Sequence, residues 1–294
     1  MLPEFELERC ETLGDALNFL HEKRARPLAG GTDLLVQLRA GIAQEQKLCY
    51  IGGLKELQCI EEQPNGLLIG SGMTFAQLRR SDAVRNRAKA LFEASIEVGA
   101  PAIRNRATIG GNVQTASPAA DGLIALAAYE AHVILQSAAG RRELTMNEFL
   151  LGPKKTAKNI DELIVGFRLT APDAKQVRFF KVGRRNALAI SVVNGAVMAD
   201  IGEGGVIHHV CVTLGAVAPL PVRIDADDFI AGKVYTKEVD EALQSVIEER
   251  ISPISDVRAS KEYRRYIAGV MVRRTLRALA MEKGGANEWS YASN

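Results

Sequence analysis

Apolar residues along this chain switch between two periods. Phe5 and Leu7 alternate with glutamates, as in a half-buried strand, and Leu13, Ala16, Leu17 and Leu20 then recur at helical spacing. Thr12-Leu13-Gly14-Asp15 ahead of that run reads as a capping box with Asp in the last place. Arg26-Pro27-Leu28-Ala29 leads into a glycine pair, and a second helix is predicted from about Asp33, carrying Leu34, Leu35 and Leu38. Residues 1–55 therefore read as a small βαβ-like unit.

From about residue 56 the pattern changes. Ile60 and 67–69 flank Pro64-Asn65-Gly66, a strong hairpin signal. Helices are predicted over 75–79, 83–98 and 121–129, with an irregular stretch at 99–105. A hairpin of 133–136 with 141–144 and a strand at 163–169 follow. Pro172-Asp173-Ala174-Lys175 places turn residues between two strand patterns and is the expected boundary, giving segments 1–55, 56–174 and 175–284 with a frayed tail at 285–294. Beyond it, strands at 177–182, 189–200 and 206–217 precede helices at about 236–249 and 260–279, an α+β order with a three-stranded sheet.

With 294 residues the chain has room for two domains or three small ones. A formal net charge of +2 gives no electrostatic case for nucleic acid or an anionic membrane, and 5% aromatic content offers little for base stacking. The acidic start lacks a secretory signal, and apolar runs such as 123–129 are too short to span a bilayer, so a cytoplasmic protein is expected. Cys10, Cys49, Cys59 and Cys211 lack zinc-site or iron–sulfur spacing and read as buried free thiols. His208 and His209 are adjacent in a strand pattern and face opposite ways, which suits a structural role; no metal ligand set is expected. The basic run from Arg258 to Arg277 forms no single stripe, because nine helical residues turn about 180° and set Arg264 opposite Arg273. A solvated helix, or one meeting an acidic partner, is expected.

The candidate chemistry lies in two glycine-centred segments, Leu28-Ala29-Gly30-Gly31-Thr32-Asp33-Leu34 and Thr108-Ile109-Gly110-Gly111-Asn112. Paired glycines let backbone N–H groups approach an anion with no Cβ in the way, and successive N–H groups form a nest for phosphate oxygens. Two nests suit a ligand with two phosphates. A Gly-Gly before a helix also suits a plain tight turn, and neither segment has the glycine order of a Rossmann or nucleoside-triphosphatase loop. Thr115, Ser117 and Asp121 add donors and acceptors for a polyhydroxylated ligand; Asp121 could accept from a sugar hydroxyl or simply cap the following helix.

Together with Ala116-Ser117-Pro118, Phe180-Lys181-Val182-Gly183-Arg184-Arg185, Ala189-Ile190-Ser191 and Arg258-Ala259-Ser260-Lys261-Glu262-Tyr263-Arg264, these segments resemble the FAD-binding subunit of the molybdenum hydroxylases over nearly the whole chain. The carboxyl-terminal match is most like bacterial xanthine dehydrogenase flavin subunits. The resemblance implies an α+β fold: a two-subdomain FAD-binding domain of the PCMH type, then a smaller α+β domain with a three-stranded antiparallel sheet. It implies non-covalent FAD, with Ala29, Gly30, Gly31, Thr32, Asp33 and Leu34 and Thr108, Ile109, Gly110, Gly111 and Asn112 at the pyrophosphate. Gly99, Ala100 and Ile103 would pass the flavin, Thr115, Ser117 and Asp121 would line the cofactor, and Lys181 would sit near the isoalloxazine edge. On the residues alone, Lys181 is a strand lysine reaching for water.

The implied partners are a large molybdopterin subunit and a small subunit with two 2Fe–2S clusters, as a dimer of heterotrimers, with an acceptor such as NAD. A complex acting on nicotinate, another N-heterocycle, an aldehyde or carbon monoxide is the alternative to a xanthine dehydrogenase, and the rivals are a stand-alone flavin oxidoreductase and an assembly scaffold that has lost FAD, against which both intact glycine segments count. The scattered cysteines argue against the branch with an extra iron–sulfur cluster on this subunit.

Overall fold

The computed structural model describes residues 2–170, 176–185 and 188–284; the boundary expected at 172–175 and the tail at 285–294 lie outside them. The chain begins with three parallel strands in the order Glu6–Arg9, Lys47–Tyr50, Arg26–Leu28. Period-two alternation on the central strand decides how this unit packs. Cys49 joins the core under the helix Leu13–Lys23, while its neighbour Leu48 joins the core with Leu38 of the helix Leu34–Arg39. The Thr12–Asp15 capping box forms as read.

The next unit is a five-stranded antiparallel sheet in the order Ile60–Gln63, Gly66–Gly70, Leu163–Thr170, His132–Ser137, Gly140–Thr145. A helical layer covers it, and the core there runs from Leu67, Ile69 and Phe167 to Leu91, Leu123 and Ile124. The helix expected over 83–98 is two, Asp82–Arg87 and Lys89–Glu97, broken at Ala88, whose φ of −139° and ψ of 54° leave the helical region. The stretch expected to be irregular holds a short helix, Pro101–Arg104, started by a proline whose missing N–H costs nothing at that position.

The same helical layer is covered on its other side by a second antiparallel sheet. Ala196 and Met198 of the strand Val193–Ile201 face it, and the alternating Val197 and Ala199 face the helices Lys237–Glu249 and Lys261–Glu282. This sheet has four strands, not the three expected: Gln176–Val182, Val193–Ile201, Ile207–Gly215 and Val222–Asp225. The fourth is a short edge strand after Pro221, with Ile224 its one buried residue, so it has no apolar run to announce it. The strand expected from 189 begins at Val193, and residues 189–191 line a cavity instead.

Candidate cofactor site

One cavity of about 710 Å³ runs between the small parallel unit, the helical layer and the second sheet. Of the residues singled out from the sequence, Ala29, Gly30, Gly31, Thr32, Asp33, Leu34, Gly99, Ile103, Thr108, Gly110, Gly111, Asn112, Thr115, Ser117, Asp121 and Lys181 lie on its wall. Ala100 and Ile109 do not; Ile109 is wholly buried in the core behind it. The wall also takes in Arg24, Glu45, Ser71, Lys158 and residues 188–191, on which sequence reasoning placed no site.

The two glycine segments differ in kind. Gly30 is tight against the chain near Arg106, whose carbonyl a Cβ would strike, and Gly31 takes a left-handed φ of 74°. The N–H groups of Gly30, Gly31, Thr32 and Asp33 have no hydrogen-bond partner among the described residues. Asp33, at the cap position of the helix Leu34–Arg39, gives that helix no side-chain cap. Its carboxylate accepts from Gln37 at 2.8 Å and from Thr115 at 3.0 Å, which ties the first segment to the end of the helix Ile109–Gln114 that the second begins. The first segment is thus an open row of donors.

The second segment is a cap and the first turn of the helix Ile109–Gln114, and its donors are already used. Ile109 N–H donates to the Met73 carbonyl at 2.9 Å, Gly110 N–H to that of Ser71 at 2.9 Å, and Gly111 N–H to Thr108 Oγ1 at 3.1 Å. Gly110 is a packing glycine, with a Cβ position only 2.7 Å from Ser71. Gly111 has open space apart from Thr108 Oγ1, so the helix meets the cavity with a flat face. Asn112 spends its Oδ1 on the N–H of Leu123 at 3.0 Å, and Ser117 accepts from Ala119.

Lys181 does not reach for water. It shares a strand face with Val177 and Phe179, which points into the helical layer, and its side chain is 8% exposed. Its ammonium donates to Asp121 Oδ2 at 2.6 Å and to the carbonyl of Glu97, the last residue of the helix Lys89–Glu97, at 3.0 Å. A cation at a helix C-terminus and a carboxylate at a helix N-terminus are each favoured by the helix dipole. Asp121 is not the cap, which is Ala120; its Oδ1 accepts from Ser191 at 2.6 Å and from Asn194 at 2.7 Å. Elsewhere on the wall, burial holds the Lys158 ammonium below the usual lysine range, against the pull of Glu162 and Asp161. His209 lies outside the site, bonded to Asp227 at 2.6 Å.

The cavity wall carries unpartnered N–H donors and a buried ion pair, and the cavity has room for a large ligand. Residues 3–172 match the family described as the FAD binding domain in molybdopterin dehydrogenase, and 178–279 match the CO dehydrogenase flavoprotein C-terminal domain. The chain belongs to the FAD-binding subunits of the molybdenum hydroxylases. Among these subunits it is 30% identical to the nicotinate dehydrogenase FAD-subunit of Eubacterium barkeri, over 98% of this chain and 100% of that one. It is 31% identical to the xanthine dehydrogenase FAD-binding subunit of Escherichia coli O157:H7, over 94% and 96%. Among solved structures, carbon monoxide dehydrogenase from Hydrogenophaga pseudoflava superposes with a TM-score of 0.88 at 30% identity, covering 96% of this chain and 99% of that chain. Quinoline 2-oxidoreductase from Pseudomonas putida 86 gives 0.91 at 25% identity, over 96% and 99%. The residues fit the cofactor of this FAD-binding family: four N–H groups are left unpartnered and so available to an anion, and the volume lies within the range of cofactor sites, roughly 300–1,000 Å³.

Proposed function

We propose that the chain holds one FAD without a covalent link and serves as the electron-transfer subunit of a xanthine dehydrogenase-like complex. Bound FAD supplies the electron-carrying chemistry between two 2Fe–2S clusters of a small partner subunit and an acceptor such as NAD. The observation that carries the reading is the row of unpartnered N–H groups at Gly30, Gly31, Thr32 and Asp33 on the wall of a cavity large enough for the cofactor. In this assignment the first segment supplies the pyrophosphate donors, and Gly110 and Gly111 supply a flat backbone face opposite. Thr115 and Ser117 lie along the cofactor. Gly99, Ile103 and Lys181 sit at the flavin end, where the Lys181 ammonium favours negative charge on the ring. Asp121 acts through Lys181 and Ser191, whose positions it holds.

No described residue on the cavity wall is a cysteine, histidine or tyrosine, which leaves no customary side chain for a flavin bond. Acid precipitation of the flavin-loaded protein is expected to release all of the yellow colour to the supernatant. Flavin retained in the pellet would overturn the non-covalent assignment. In the same assay Gly31→Val is expected to fold and carry little FAD, because a β-branched residue resists the left-handed φ that aims the cradle. Full flavin occupancy in that variant would remove the first segment from the pyrophosphate.

The nicotinate, xanthine and Hydrogenophaga pseudoflava carbon monoxide relatives are 30%, 31% and 30% identical to this chain, so the carboxyl-terminal likeness to xanthine dehydrogenases does not select among substrates. A second reading, in which the complex acts on nicotinate or another N-heterocycle, draws on the same relatives. Assay of the assembled complex with xanthine and with nicotinate separates the two.

A further inference from the structure

The thiols of Cys10 and Cys49 lie 3.1 Å apart, Sγ to Sγ, inside the core of the first parallel unit. Cys10 follows the strand Glu6–Arg9, and Cys49 sits on the neighbouring strand Lys47–Tyr50 opposite Glu8. Two unbonded sulfurs do not approach this closely without an S–H···S contact, and about 1 Å of further approach makes a bond. Cys59 and Cys211 have no such neighbour: Cys59 contacts a backbone carbonyl at 4.0 Å, and Cys211 lies in a different core.

We propose that Cys10 and Cys49 are a site of reversible oxidation, converted to a disulfide by a peroxide. The residues between them include the whole of the Gly30–Asp33 cradle, so the bond closes a covalent loop around it. Cys10 is the entry point, because it is 6% exposed and Cys49 is wholly buried. The Cys10 thiolate attacks hydrogen peroxide and becomes a sulfenic acid, with release of one water. The Cys49 thiol then attacks the Cys10 sulfur, the S–S bond forms, and the hydroxyl leaves with a proton as a second water. Two thiols lose two electrons and two protons, and one peroxide becomes two waters. Burial, with Glu8 and Asp15 nearby, pushes the Cys10 thiol up, so the reaction is slow at neutral pH and speeds up as the pH rises.

The test is mass spectrometry of the full chain after hydrogen peroxide, without reduction. Trypsin frees Cys10 within residues 10–23 and Cys49 within 48–55. The expected product is these two peptides joined, lighter by two hydrogens and separated by dithiothreitol. The Cys59→Ser/Cys211→Ser double variant is expected to give the same product, and Cys49→Ser is expected to leave a dimedone-trappable sulfenic acid on Cys10. Sulfinic acid on Cys10 in the wild type, links through Cys59 or Cys211, or unmodified thiols after prolonged alkaline exposure would each overturn the proposal. Because the wild-type measurement decides alone, poor folding of Cys49→Ser leaves it standing. Hydrogen exchange at residues 30–33 is expected to slow on oxidation, and unchanged exchange would refute the hold on the cradle.

Discussion

Lys181 and Asp121 form a buried pair 2.6 Å apart, with side chains 8% and 7% exposed, and each carries a different burden. Lys181→Met strands a carboxylate in a dry site, which costs about 3–5 kcal/mol of stability. Asp121→Asn keeps the shape and leaves a net positive charge at the cavity wall. On the assignment proposed above, the flavin midpoint potential should fall in Lys181→Met and rise in Asp121→Asn. A redox titration of the three flavin-loaded proteins checks this, and equal midpoints would take Lys181 away from the flavin. The pair also marks a limit of sequence reading. Lys181 stands among Val177, Phe179 and Phe180, and alternation says that it shares a face with Val177 and Phe179. Nothing local says which face the helices cover, because both faces of that sheet are packed. The glycines were legible as sites of close backbone approach, but that the Gly110 N–H is taken depended on the carbonyl of Ser71, nearly forty residues earlier.

The two carboxyl-terminal helices bury several of the charges that their sequence displays. Arg264 is 2% exposed and donates to the carbonyls of Val192 and Ala216 and to Asp256. Arg273 and Arg277, one turn apart, both pair with the fully buried Asp240 of the facing helix. Arg264, Arg273 and Arg277 of the basic run are thus spent inside the chain, while Lys261 and Arg274 stay exposed. Periodicity gave the two helices at about 236–249 and 260–279, and the structure caps them with Thr236 and Ser260, while the pairing across them was invisible because it joins residues more than thirty apart. Burial works against the charge of Asp240, yet hydrogen bonds from Arg273, Tyr235 and Arg277 outweigh it and hold the carboxyl below its ordinary 3.8. A depressed carboxyl contributes stability that is whole above the unfolded value and drains away as pH falls through the folded one. Asp240→Asn should therefore be less stable than wild type at about pH 7, and the gap should narrow at about pH 3. Denaturant midpoints at the two pH values measure it; a gap of constant size would mean that the carboxylate charge contributes nothing.

At the scale of the molecule, the order of elements was readable because each unit has its own period. The four-strand count and the seam between the units were not, since edge strands and interfaces carry little local signal. The described residues contain no helix long and apolar enough to cross a membrane. Family membership leads to the expectation that the chain works inside a complex. Co-purification should recover a large molybdopterin subunit and a small iron–sulfur subunit, and a mass measurement should give a dimer of heterotrimers. Substrate-driven acceptor reduction by this chain alone would contradict that.

The cavity draws its walls from both matched segments: residues 29–34 and 108–121 from the first, Lys181 and 188–191 from the second. A molecule seated there touches both, and its affinity is also the strength of a joint. By mass action, a ligand at 100 times its Kd adds about 2.7 kcal/mol to the folded state. Here that increment falls on the seam between the two halves. On that account the chain without its cofactor is expected to be cleaved sooner by a protease than the flavin-loaded chain, and equal cleavage rates would remove the joint.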